Sequence, residues 1–439
     1  MNALDVGLIS VLSIVALIYL GLYIPIALGL VSFLGIWLMR DNFDLALGLL
    51  KIAIDNSITE YPFATVPLFT FMGLMVSKTG LGRDIYDVMN DAFFRIKGGI
   101  GMATVAANAV FAAVTGSSIA SASVFTRVSV PEMLRFNYNP RFAVGVVAGS
   151  SVLGMIIPPS AMLIIYSIVA EQSIGEMFLA GVVPGILLAA AYIALIVIMG
   201  RFMPSYIGGQ PPEGVTFERQ PLTRADIAAK TMPILLLIGV VLGGIYAGYL
   251  TPVEAGAAGS LLGLAIGLLK RRITLKGFWE SLIETGHITA SILFLIIAAS
   301  MYSRMLGFAG LPNVFGDWLT TMEFSLWGVM LVYVALMIFL GTLLDTSSII
   351  LIVVPLFLPV VEPMGISLVW FGIVTVIGAE IGLLTPPLGI SCFVIKSTIN
   401  RPEIALKDVF IGAFPFAVIM LIVLLIIIQF PVLSIGILG

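Results

Sequence analysis

Charge is what this chain of 439 residues has least of: 10% are Asp, Glu, Lys or Arg and 60% are hydrophobic. A soluble domain carries roughly 25% charge, so a soluble enzyme of this length is excluded. Many apolar runs reach the ~20 residues that cross a hydrocarbon core as a helix, and the chain reads as an all-α polytopic membrane protein. A single cysteine, Cys392, and a single histidine, His287, exclude an intrachain disulfide and a Cys/His metal cluster; both read as packed helix residues. No basic patch interleaved with aromatics points to nucleic acid. No nucleophile with a matching base supports an intramembrane enzyme. The opening, MNALDVGLIS, lacks the basic stretch of a secretory signal, so the first helix reads as retained.

Proline, by contrast, sits where it costs most. The stretch GMIIPPS, 154–160, interrupts a run apolar enough to be a membrane helix, and proline in a helix interior costs about 3 kcal/mol or more. GLLTPPLG, 382–389, makes the same break with the same spacing, 228 positions later. The offset recurs: Pro131 with Pro359, Pro25 and Gly29 with Pro252 and Gly256, Gly80 with Gly310, Gly181 and Pro184 with Gly412 and Pro415 all pair at 227–231. A duplication follows, with a first repeat over 1–200, a hydrophilic linker over 201–230 and a second repeat over 231–439.

Lys and Arg concentrate in cytoplasmic loops, and LLKRRITLK, 268–276, is the clearest inside anchor. With it and the linker inside, the second repeat has five crossings, and 322–363 must start and end outside as a re-entrant hairpin tipped by LLDTSS. Its counterpart is a hairpin over 98–134 tipped by TGSSIASAS and opening to the cytoplasm. Broken helices follow the hairpins at 142–170 and 367–396. Of the 21 Lys and Arg, only Arg40, Lys51 and Arg304 fall outside, and Arg127 lies in a hairpin arm. Residues 41–60 read as an interfacial amphipathic segment. An odd number of crossings per repeat makes the repeats inverted with both termini outside, a plan that secondary transporters use around a midplane site.

The breaks predict chemistry. Pro158 and Pro386 have no N–H, so the carbonyls of Gly154 and Gly382 lose their helical donors. Such oxygens suit a hard cation such as sodium, with further oxygens from Thr115 to Ser118, from Gly341 and Thr342, and from the Thr385 hydroxyl. Helix N-termini restarting after a break favour anions, and Ser117, Ser118, Ser121, Ser123, Ser347 and Ser348 can donate hydroxyls to a carboxylate or serve as small packing residues. Arg127 either meets the anion or snorkels to the cytoplasmic face. Asp345 and Glu380 either couple a cation or proton or bond to hairpin backbone.

Three stretches, GSSIASASVFTRVSVPEMLRFNYNPRFAVGVVAGSSVLGMIIPPSAMLIIYSIVAEQSIGEMFLAGVVPG (116–185), GGIYAGYLTPVEAGAAGSLLG (243–263) and LLDTSSIILIVVPLFLPVVEPMGISLVWFGIVTVIGAEIGLLTPPLGI (343–390), resemble the large membrane subunit, DctM type, of the tripartite ATP-independent periplasmic (TRAP) transporters over nearly the whole chain. The resemblance implies an elevator-type ion-transporter fold in a bacterial or archaeal cytoplasmic membrane, importing an organic acid with sodium as coupling ion and no other cofactor. It implies two partners, a separate small four-helix membrane subunit and a periplasmic binding protein. It further implies one sodium site at Ser117, Gly154 and Ile157 and another at Gly341, Gly382, Thr385 and Leu388. Gly382 stands where some relatives have threonine, which removes a side-chain oxygen and keeps the backbone one. The rival transporter reading is a stand-alone sodium- or proton-coupled organic anion symporter of the same general fold.

Overall fold

The computed structural model describes residues 2–94, 96–208, 221–312, 314, 316 and 325–438. Arg95, much of the 201–230 linker and the first residues of the 322–363 hairpin lie outside the described residues. Every extended element described is a helix, as lipid demands of a backbone whose polar groups find no water. Five helices are long and apolar enough to cross a membrane by themselves: Ile174–Phe202, Arg224–Tyr246, Pro252–Leu269, Leu275–Ala309 and Leu406–Gln429. Two bent pairs qualify jointly, Tyr61–Lys78 with Leu81–Phe93 at 61° and Pro140–Ile156 with Ala161–Val169 at 43°. The ten expected crossings therefore also need Ala3–Tyr19, Ile24–Arg40 and the pair Leu368–Leu383 with Ile390–Ile399, which are apolar but shorter. The helix Phe43–Thr59 in the 41–60 segment qualifies under neither heading and packs beside Leu275–Ala309 and Ile24–Arg40.

Two pairs of consecutive helices occupy the two hairpin regions. The first hairpin has arms Gly99–Thr115 and Ser118–Arg135, and the second has arms Leu326–Gly341 and Thr346–Val361. Each second arm starts from a side-chain N-cap, Ser117 accepting from the Ala120 N–H at 3.3 Å and Asp345 from the Ser348 N–H at 3.2 Å, which satisfies donors orphaned at a helix start. Both proline pairs, Pro158-Pro159 and Pro386-Pro387, carry cis peptide bonds.

Packing among these helices rests on glycine, because lipid offers no hydrophobic drive and close backbone contact supplies the attraction. Pro140–Ser151 crosses Leu406–Gln429 with Gly145 on Gly412. Pro252–Leu269 seats Gly256 and Gly263 on Leu68, Phe69, Met75 and Val76. Around the hairpins the interior is filled by large apolar and aromatic side chains. Trp370, Tyr166, Tyr333, Phe125 and Phe371 are among its largest fully buried side chains, and their polar tips are satisfied: Tyr166 Oη donates to the Leu368 carbonyl (2.6 Å) and Trp370 Nε1 to that of Ile427 (3.0 Å).

One end of the bundle gathers the basic loops. Asp84 takes Lys270 at 2.6 Å and Arg272 at 2.9 Å, Lys230 meets Asp87, Lys78 meets Glu280 at 3.4 Å, and Arg141 meets Asp408 at 2.7 Å. The Asn139 N–H donates to the Ile207 carbonyl (2.9 Å), drawing the start of the linker to the same end. Arg304 lies on a separate cavity, with Glu60, Gln172 and Thr251.

Candidate functional site

At the first tip, Gly116 turns the chain with φ +60°, a conformation open chiefly to glycine, and Ser117 continues extended. The broken helix arrives beneath it so closely that a methyl group built on Gly154 would lie 2.8 Å from the Ser117 carbonyl carbon and oxygen. The half-helix after the break returns to the tip, its Ala161 N–H donating to the Gly116 carbonyl at 3.3 Å. Ser160 closes the gap: its hydroxyl donates to the Met155 carbonyl (2.5 Å) and accepts from the Leu163 N–H (3.3 Å). Ile157, extended at the end of the first half-helix, keeps an N–H···O bond to Leu153 (2.9 Å). The Gly154 carbonyl loses its usual partner, because the residue four positions on is Pro158.

The second tip repeats this contact. Gly341 and Gly382 meet backbone to backbone, an added methyl on Gly382 lying 2.6 Å from the Gly341 carbonyl carbon, and the Leu388 N–H donates to the Thr342 carbonyl at 3.1 Å. One expectation is corrected here. The Gly382 carbonyl is not left bare: the chain tightens by one residue and the Thr385 N–H donates to it at 2.9 Å. A carbonyl has two acceptor lone pairs, so one remains. Thr385 spends its hydroxyl proton on the Ile381 carbonyl (2.9 Å) and likewise keeps oxygen lone pairs.

Residues 11–433 match the family described as the tripartite ATP-independent periplasmic transporter, DctM component. The chain belongs to this family. It is 31% identical to the C4-dicarboxylate TRAP transporter large permease protein DctM of Pseudomonas aeruginosa over 88% of each chain. It is 29% identical to the sialic acid TRAP transporter large permease protein SiaM of Vibrio cholerae over 86% of each. With the isethionate TRAP transporter permease protein DctMQ of Oleidesulfovibrio alaskensis it shares 28% identity over 84% of this chain and 57% of that one. Among solved structures, the YdaH transporter of Alcanivorax borkumensis shares the fold at a TM-score of 0.62 and 13% identity, covering 89% of each chain. MtrF of Neisseria gonorrhoeae does so at 0.65 and 11%, covering 88% of this chain and 84% of that one. The large permease is thus a multi-pass transporter subunit of a bacterial inner membrane, from a family that transports rather than catalyses.

In this large permease the serines of the first tip divide by helical face. Ser117, Ala120, Ser123 and Arg127, spaced three or four apart, line a cavity of about 620 Å³ that also touches Lys78 and Glu284. Ser118 and Ser121 belong to the other face, 1% and 0% exposed, with hydroxyls lacking a partner among the described residues. They do not line this cavity. The 3.6-residue period explains the split: a step of three returns to the same face and a step of one does not.

At the second tip, Asp345 takes both the Ser347 and the Ser348 hydroxyls in addition to the Ser348 N–H. Their protons are spent within the tip, so they too are not free donors for an anion. All three line a small recess of about 230 Å³ with Tyr23, Ser291 and Ile292. Glu380 is fully buried, accepting from the Thr346 hydroxyl at 2.8 Å while its second oxygen has no partner among the described residues. Thr346, Lys78, Glu284 and Ser160 escaped the sequence reading. Ser160 was signalled by its place after the proline pair; Lys78 and Glu284 come from distant helices that carry no motif.

Proposed function

We propose that this large permease imports an organic acid together with sodium, delivered by a periplasmic binding protein and working beside a small membrane subunit. The observation that carries the reading is the paired contact of tip and break, Ser117 on Gly154 and Gly341 on Gly382. Each contact brings tip backbone against a proline-interrupted helix, the arrangement in which carbonyl lone pairs not used within the helix serve a hard cation. The first site takes Ser117, Gly154 and Ile157, and the second Gly341, Gly382, Thr385 and Leu388. Ser117 and Ser123 with Arg127 and Lys78 receive the carboxylate in the cavity between them. Relatives named for C4-dicarboxylate, sialic acid and isethionate transport all carry organic anions, which supports the substrate class.

The elevator reading rests on one helix. Along Leu275–Ala309, residues Glu284, Ile288 and Ile292 border the inner cavity, while Ile296, Ala299, Ser300, Ser303 and Arg304 border a cavity of about 880 Å³ at the opposite end. The two groups follow one another along a single continuous helix, a rail past which the hairpins and broken helices of two inverted repeats slide. The inner cavity reaches Lys78 at the basic end, so the conformation faces inward.

The test reconstitutes the chain in liposomes with and without its two partners and follows labelled succinate, N-acetylneuraminate and isethionate. Uptake of one of them is expected only with all three proteins and an inward sodium gradient. Uptake by the chain alone favours a stand-alone symporter, and uptake indifferent to sodium removes the cation sites.

A further inference from the structure

Beside the inner cavity, on the basic end, lies a second pocket of about 500 Å³ that the transport reading touches only at Arg127. Two helices build it face to face. Leu81–Phe93 supplies Arg83, Tyr86, Asp87 and Asn90, and Ser118–Arg135 supplies Arg127, Pro131, Glu132 and Arg135. The spacings of three and four mean that each helix turns one continuous stripe toward the other. Three guanidinium groups therefore border a single space. Of the two carboxylates there, Asp87 is held by Lys230 from outside the pocket. Arg83 and Arg127 have no ion-pair partner among the described residues, and both are exposed. Arg127 also lines the inner cavity beside Ser117 and Ser123, so the two spaces meet at one side chain.

The geometry points to a release vestibule: a second anion site, centred on Arg83 and Arg127, that takes the carboxylate of the transported acid as it leaves the inner cavity. This inference rests on the transport reading above. Guanidinium groups bind carboxylates through paired N–H donors, and a pocket lined by one sign of charge concentrates its counter-ion. Arg127 hands the anion from the serine stripe to the arginines of the vestibule. A consequence is product inhibition from the cytoplasmic side, because acid held in the vestibule keeps Arg127 occupied and obstructs the next departure. Contiguity with the inner cavity favours the transported acid over a lipid phosphate.

The three-component complex in vesicles, loaded with increasing amounts of whichever acid of the panel it transports, reads the effect. Lumenal acid is expected to inhibit sodium-driven uptake, and Arg83→Gln to raise the half-inhibitory lumenal concentration about tenfold, the loss of one charge-assisted pair. Arg83→Lys, which keeps charge and loses the fork, lies between. External half-saturation stays unchanged. Equal lumenal inhibition in Arg83→Gln and the parent overturns the vestibule. Vesicles of phosphatidylcholine with and without phosphatidylglycerol separate the lipid alternative: a variant effect confined to phosphatidylglycerol, with lumenal inhibition intact, makes the pocket a headgroup site and overturns the proposal. Binding of the same labelled acids to the detergent-solubilised complex without sodium gives a readout independent of transport, so failure of sodium-driven uptake and failure of the vestibule are distinguishable. Binding that weakens in Arg83→Gln but persists in Ser117→Ala supports the vestibule, and binding indifferent to Arg83 overturns it.

Discussion

At the scale of single residues, two kinds of position around the breaks differ sharply in what a substitution does. Thr385 makes one side-chain bond, to the Ile381 carbonyl, and a typical hydrogen bond contributes about 0.5–1.5 kcal/mol net. Thr385→Ala is therefore expected to fold at near-parent yield while the sodium concentration for half-maximal uptake rises severalfold; an unchanged sodium curve removes Thr385 from the second site. Gly382 is the opposite case, because a methyl group there meets the Gly341 backbone, which has no rotamer to move away. Gly382→Ala should sharply lower the yield of folded protein. Gly286, inside the long helix Leu275–Ala309, is the control: a methyl group there meets nothing within 4 Å, and Ala in a helix interior is favoured over Gly by about 1 kcal/mol. Gly286→Ala should leave the melting temperature unchanged or raise it slightly, measured by thermal unfolding in detergent. Both breaks were legible in sequence because proline and glycine mark them directly. Which serine hydroxyl is free was not, since Asp345 takes the Ser347 and Ser348 protons through side-chain rotamers that no spacing rule fixes.

At the scale of elements, the helix Leu81–Phe93 ties the first hairpin to the basic loops. It packs against both hairpin arms and against Arg224–Ile238, and its Asp84, with a side chain only 6% exposed, accepts from Lys270 and from both terminal nitrogens of Arg272. Removing one partner from a buried ion pair costs up to about 3–5 kcal/mol because the survivors stay unpaired; here Lys270 and Arg272 are 22% and 41% exposed and partly hydrated, so Asp84→Asn should cost about 1–3 kcal/mol. A fall of several degrees in melting temperature is the expected result. An unchanged melting temperature shows that the cations find water as easily as carboxylate. This tie was invisible in sequence, where Asp84 is an ordinary charge in a polar helix and Lys270 lies 186 positions away. The helices of the two hairpin regions, by contrast, were readable as apolar runs on either side of a short stretch of small residues.

At the scale of the whole molecule, the inner and outer cavities border successive stretches of Leu275–Ala309, and that placement separates sliding from local gating. A hairpin that only opens its tip changes access at one end, whereas a unit that slides along the rail exchanges access between the ends. Cys392 is fully buried and is the chain's single cysteine, so a Cys392→Ala background permits single-cysteine probes. Ser123→Cys in the inner cavity should react with a membrane-impermeant maleimide from the basic side, and Ser303→Cys in the outer cavity from the opposite side. Sodium with a transported acid should then lower the inner rate at Ser123 and raise an outer rate there, because the serine stripe travels with its hairpin while Ser303 stays on the rail. Reaction at Ser123 that changes on the inner side alone leaves the tips as gates and the rail fixed to its neighbours.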